Sequence, residues 1–202
     1  MSDARSAVLG RIREALGPSP AVPEVPRDYH GAHAEADVGL FCERVADYRA
    51  TVRRVSAEAL DGTLAEICAG RRLGVPPGAA WRPSGADVVV DDPPLAARDL
   101  DTLDGALTGC ALAIAETGTI VLVGGERSGR RALSLVPDLH VCVVEAAQVV
   151  ADLPGAIARL AEAARDGRPV TFVSGPSATS DIELQRVEGV HGPRQLVVLV
   201  LG

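Results

Sequence analysis

The chain has 202 residues, with 20 Lys+Arg against 27 Asp+Glu and a formal net charge of −7. All 20 basic residues are Arg. That excludes a Walker-type phosphate lysine, a Schiff-base lysine and a lysine general base, and with them P-loop nucleotide hydrolysis, ordinary kinase chemistry and cofactors held as a lysine imine. The acidic balance and an aromatic content of 2% supply neither the basic face nor the stacking platforms of a nucleic-acid binder.

At this length one domain with a real core is expected, built from Ala, Val, Leu and Ile. No strictly apolar run exceeds six residues, as at 196–201, so no segment spans a bilayer as a helix. The first residues carry no long apolar stretch of a secretory signal, and a cytoplasmic protein is expected. Cys42, Cys68, Cys110 and Cys142 lie far apart with no C-x-x-C pair. Iron–sulfur and structural zinc sites are therefore not expected, and buried, reduced thiols are.

In chain order, residues 3–16 place Val8, Leu9, Ile12 and Leu16 at helical spacing behind Ser2 and Asp3. Residues 17–26 hold four prolines and form an extended arm, so residues 1–30 read as a helix and arm, and residues 31–202 as a single α/β domain. Residues 35–50 read as a helix with Leu40, Phe41, Val45 and Tyr48 on one face. Residues 51–55 read as a strand, and Ser56 opens a helix through about residue 69 with Glu58 in its first turn. Residues 73–75 and 87–90 are strands, and 94–104 a further helix. From residue 106 on, apolar runs at 111–115, 120–123, 141–144, 170–173 and 196–201 lack strict alternation, as strands buried on both faces do. A helix over 153–165 has Asp152 before it, Pro154 in its first turn and Gly167 after it. The alternation predicts a largely parallel sheet flanked by helices with right-handed crossovers.

Four constellations bear chemistry. The turn Glu116-Thr117-Gly118-Thr119 sits at a strand end, where open α/β sheets bind ligands, or else is a plain hairpin turn. The run 124–131 gathers glycines with Arg127, Arg130 and Arg131, suited to a carboxylate or phosphate, or else to pairing with Asp and Glu on the surface. Asp138 and His140 alternate into a strand, with His140 read as a structural histidine. Ser174-Gly175-Pro176-Ser177-Ala178-Thr179-Ser180-Asp181 follows a strand. Its backbone N–H groups can form an anion nest, aided by a helix N-terminus if Thr179 or Ser180 opens one. The glycines flanking His191 force a sharp bend there and make it a poor core residue. His30 and His33, with Glu35, lack a full metal ligand set, and no metal site is expected.

The ordered segments AETGTIVLVGG, SLVPDLHVCVV and SGPSATSDIELQRVEGVHGPRQLVVLVL resemble the LUD domain family, in its lactate utilisation protein C group, over about residues 35–202. The resemblance implies a fold similar to the NagB/RpiA/CoA-transferase type. It implies a component of a bacterial system oxidising L-lactate to pyruvate, acting with two iron–sulfur companion proteins and carrying no cluster of its own. Two functional readings follow. In the first, the protein binds a small carboxylate or other anion, as a monomer or homo-oligomer and with no cofactor. Thr117, Gly118, Thr119, Ser174, Gly175, Pro176, Ser177, Thr179 and His191 line the site, and Arg130 or Arg131 holds the carboxylate. In the second, the Glu116-Thr117-Gly118 turn resembles the Glu-x-Gly of class I CoA-transferases, and the chain is an acyl or CoA transferase with Glu116 as nucleophile and His191 or Asp181 assisting. The absence of Lys argues against a ribose-phosphate isomerase.

Overall fold

The structure, a computed structural model, describes residues 2–26, 35–180, 186–189 and 191–202. The chain divides into residues 1–30 and residues 31–202. The first unit is helix α1 (Ser2–Leu16) followed by extended residues 17–26, with Val8, Leu9, Ile12 and Leu16 exposed.

The second unit is built on two sheets. The larger has six parallel strands: β1 (Thr51–Val55), β2 (Arg72–Val75), β3 (Asp87–Val90), β4 (Gly105–Gly109), β7 (Leu139–Glu145) and β12 (Gln195–Leu201), in the order β1-β12-β7-β4-β2-β3. The smaller has four: β5 (Leu112–Ile114), β6 (Thr119–Val123), β8 (Val149–Val150) and β9 (Val170–Val173), in the order β8-β5-β6-β9. The runs at 111–115, 120–123 and 170–173 thus leave the parallel sheet. The turn joining β5 to β6 is too short for a crossover, so these two strands pair antiparallel, and β9 pairs antiparallel with β6.

Strand alternation explains why β7 and β12 read as unbroken apolar runs. Val141, Val143 and Leu199 face Leu60, Leu64 and Cys68 of helix α3 (Ala57–Cys68). Cys142, Val144, Val198 and Val200 face Ala113, Ile120 and Leu122 of the smaller sheet, with Phe41 and Val45 of helix α2 (Val38–Asp47). Helix α5 (Leu153–Arg165) covers the outer side of the smaller sheet through Ala156, Leu160 and Ala163. Each fully buried Val or Leu contributes roughly 1.5–3 kcal/mol. The layers run α3, large sheet, small sheet, α5.

Helix ends follow their caps. Asp152 accepts from Gly155 N at 2.8 Å, and Asp37 accepts from Leu40 N at 3.0 Å, which starts α2 later than residue 35. The helix expected over 94–104 contracts to α4 (Ala97–Asp101), after which the Asp104 carboxylate takes the Arg72 N–H at 2.7 Å and the chain turns into β4. Ser56 stands at the N-cap of α3 without a side-chain cap bond. All four cysteines are free, with Cys68, Cys110 and Cys142 buried. No helix among the described residues is long and apolar enough to cross a membrane.

Candidate functional site

The carboxyl ends of the large sheet, where the strand-end rule places ligands, are crossed by the Gly/Arg run, which leaves a cavity of about 230 Å³ against residues 78–81. Gly109 N donates to the Arg127 carbonyl at 3.0 Å, and Ser128 Oγ donates to the Gly109 carbonyl at 3.1 Å. Arg127 pairs with Glu145 at the end of β7. Arg130 forks onto the buried Asp91 carboxylate just past β3, Nε at 2.7 Å and Nη2 at 2.9 Å. Burial pushes the Asp91 carboxyl up, but the Arg130 fork and the Leu95 N–H outweigh it and hold the group below its ordinary value. Arg130 is thereby committed to a structural pair.

The chain then crosses to the opposite, amino end of the sheet, and there it borders a cavity of about 400 Å³. Its walls are the start of β7 (His140) and β12 (Leu196), the inward residues Thr171 and Val173 of β9, Tyr48 beyond α2, Arg131 with Ser134, and segments 174–177 and 191–193. Gly175 has φ +151°, and a Cβ there would stand 2.8 Å from Tyr48 Cβ, so only glycine lets this segment close on the residue after α2. Ser177 ties the two segments together: its N–H donates to the Pro193 carbonyl at 2.8 Å and its Oγ accepts from His191 N at 3.1 Å.

Among the described residues Arg131 is the one permanently charged side chain on this wall, and no carboxylate pairs with it. Nη1 donates to the Ser134 carbonyl and Oγ, both at 3.2 Å, and Nη2 to the His191 carbonyl at 3.4 Å. Five N–H groups on a guanidinium leave donors over after these bonds. Burial holds Arg131 below its ordinary value, but an arginine stays charged.

His140, 2% exposed, forms part of the floor, with Nε2 2.8 Å from Thr108 Oγ1. Burial, and then the positive charge of Arg131, pushes its imidazole down to about 4. It is neutral at pH 7.

Of the residues singled out in the sequence, Arg131, Ser174, Gly175, Pro176, Ser177 and His191 meet at this cavity. The Glu116–Thr119 turn does not reach it. Thr117 Oγ1 is 2.7 Å from Thr119 Oγ1, and Thr119 Oγ1 is 2.8 Å from Ser174 Oγ, so a chain of hydroxyls runs behind the cavity wall. Gly118 has φ +59°, and a Cβ there would stand 2.5 Å from the Arg44 carbonyl carbon: the turn clamps the β5–β6 hairpin onto α2. Glu116 is exposed beside that clamp. Thr179 lies in strand β10 (Ala178–Ser180), paired antiparallel with β11 (Arg186–Glu188), so neither Thr179 nor Ser180 opens a helix. Asp181, His30 and His33 lie outside the described residues. Among the described residues no group of three or more His, Cys, Asp or Glu could hold a metal ion. The site expected from the sequence does not include His140, Ser134 or Tyr48. The alternation of Asp138 and His140 into β7 was the one available sign.

The LUD domain model matches residues 91–201. A Lactate utilization protein C from Deinococcus radiodurans is 48% identical over 199 residues, which cover 97% of this chain and 91% of that protein. A Lactate utilization protein C from Geobacillus kaustophilus is 31% identical over 128 residues, 60% of this chain and 53% of that protein, so the chain spans about half of that relative. The crystal structure of a DUF162 family protein from Deinococcus radiodurans superposes with a TM-score of 0.71 at 42% identity, covering 81% of this chain and 94% of that one.

Proposed function

This chain belongs to the LUD domain family, and we propose that it serves lactate utilisation by holding a small carboxylate on Arg131 in the cavity at the amino end of the large sheet. The observation that carries the reading is the electrostatic imbalance of that cavity: among the described residues its wall holds one guanidinium with donors to spare, two histidines and serine hydroxyls, and no carboxylate. A carboxylate entering there replaces water on Arg131 with a charge-assisted pair, worth roughly 1.5–3 kcal/mol. The names of the relatives support a role in lactate utilisation. In that pathway the protein acts with two iron–sulfur companions in the cytoplasm. Its four free cysteines lack cluster spacing, which fits electron transfer being done by the companions.

Calorimetric titration with pyruvate, L-lactate and inorganic anions tests the binding reading. Saturable binding to the intact protein, weakened about tenfold or more in Arg131→Ala, is expected. Equal affinity in the two proteins removes the assignment. Deleting the gene from a host without another lactate route should abolish growth on L-lactate, and undiminished growth removes the pathway claim. Purification of the tagged protein from lactate-grown cells should bring down the two iron–sulfur proteins.

A further inference from the structure

We infer that His140 donates its Nδ1–H to a ligand oxygen beside the carboxylate, so that the cavity reads a carboxylic acid bearing an oxygen on its 2-carbon at two points. The inference rests on the carboxylate reading above and adds to it a second recognition group and a ligand class.

Thr108 is fully buried on β4, and the partner of its hydroxyl among the described residues is His140 Nε2, at 2.8 Å. One proton lies between these atoms. If Nε2–H donates to Oγ1, the threonine's own proton is left buried with no acceptor, a cost that native interiors avoid. If the hydroxyl donates to Nε2, both groups are satisfied. A neutral imidazole then carries its proton on Nδ1.

His140 lines the cavity, its Nδ1 makes no bond to a described residue, and no described side-chain nitrogen or oxygen is sealed without a partner. Nδ1–H therefore opens on the cavity, on the wall it shares with Arg131. Because the ring stays neutral, it is a donor without charge. A second carboxylate oxygen is already served by the guanidinium fork, so the natural partner is an uncharged acceptor on the adjoining carbon. A 2-oxo or 2-hydroxy acid presents such an acceptor, and an unsubstituted acid leaves the imidazole N–H unanswered.

Calorimetry with pyruvate and propionate, which share the carboxylate and differ at the next carbon, tests this. The intact protein should bind pyruvate at least about fivefold more tightly, and His140→Phe should erase the preference while leaving propionate affinity within about twofold. Nitrogen NMR of the imidazole in the wild-type protein provides a check independent of that variant's folding: it should report Nδ1 protonated and Nε2 bare. Equal binding of the two acids to wild type, or a protonated Nε2, overturns the role of His140 and leaves the Arg131 reading standing. Binding of neither acid, or binding unaffected by Arg131→Ala, removes the carboxylate reading itself and this inference with it.

Discussion

Acid should loosen this protein through His140 in a predictable amount. The imidazole is held at about 4 in the fold against an ordinary 6.5, because the sheet interface desolvates it and Arg131 faces it. A group depressed in the folded state binds fewer protons there than in the unfolded chain at every pH between those values. Stability therefore falls as pH drops from 6.5 towards 4. At about 1.4 kcal/mol per pH unit, the gap amounts to about 3 kcal/mol lost by pH 4. That is a large part of the roughly 5–15 kcal/mol that holds a domain together. Carboxylates titrate in the same range, so the informative quantity is a difference. Denaturant unfolding of wild type and His140→Gln, each at a series of pH values from 7.5 to 4, should show wild type losing about 3 kcal/mol more than the variant. Parallel pH profiles would refute the buried neutral histidine, and with it the proton count that sets its tautomer.

Other substitutions separate neighbouring residues by role. Arg130→Ala leaves Asp91 buried without its fork and should lower stability by roughly 1–3 kcal/mol in denaturant unfolding, while pyruvate affinity stays unchanged. Arg131→Ala should do the reverse, and matching behaviour of the two variants would contradict the division drawn here. Gly118→Ala forces a Cβ into the α2 backbone at a positive φ, and a loss of roughly 2–4 kcal/mol is expected by thermal unfolding. An unchanged melting temperature would show that the turn is not a clamp. Glu116→Gln should retain wild-type pyruvate affinity and growth on L-lactate. An acyl-glutamyl adduct trapped at Glu116 would instead favour the transferase reading.

Much of the scaffold could be read directly from local signals. Asp152, Pro154 and Gly167 bracket α5, and the runs 141–144 and 196–201 mark the two central strands because both their faces are covered. Other features required knowledge of tertiary partners. β4 is Gly-Ala-Leu-Thr-Gly, a weak strand by composition, and it is fixed by pairing with β2 and β7. Continuous apolar runs say that a strand is buried without saying in which sheet, so the smaller, mixed sheet was invisible. At the site, the small-residue turn at Ser174–Ser177 and the glycine-flanked His191 were legible from chain geometry. Arg130 and Arg131 were not separable, since adjacent guanidiniums differ only in what the fold places opposite each: Asp91 for one, and for the other a cavity with no carboxylate among the described residues of its wall. His140 reads as a core histidine and is one; its second face becomes apparent only when the start of β7 and the residues of β9 are seen to line one cavity.

The most direct test of the central claim is a crystal structure of the protein grown with pyruvate. The account predicts density for the acid in the cavity walled by Arg131, Ser177 and His140, its carboxylate within hydrogen-bond reach of the Arg131 guanidinium. Pyruvate bound instead at the Glu116 turn or at the carboxyl ends of the large sheet near Arg127, with only solvent on Arg131, would contradict it.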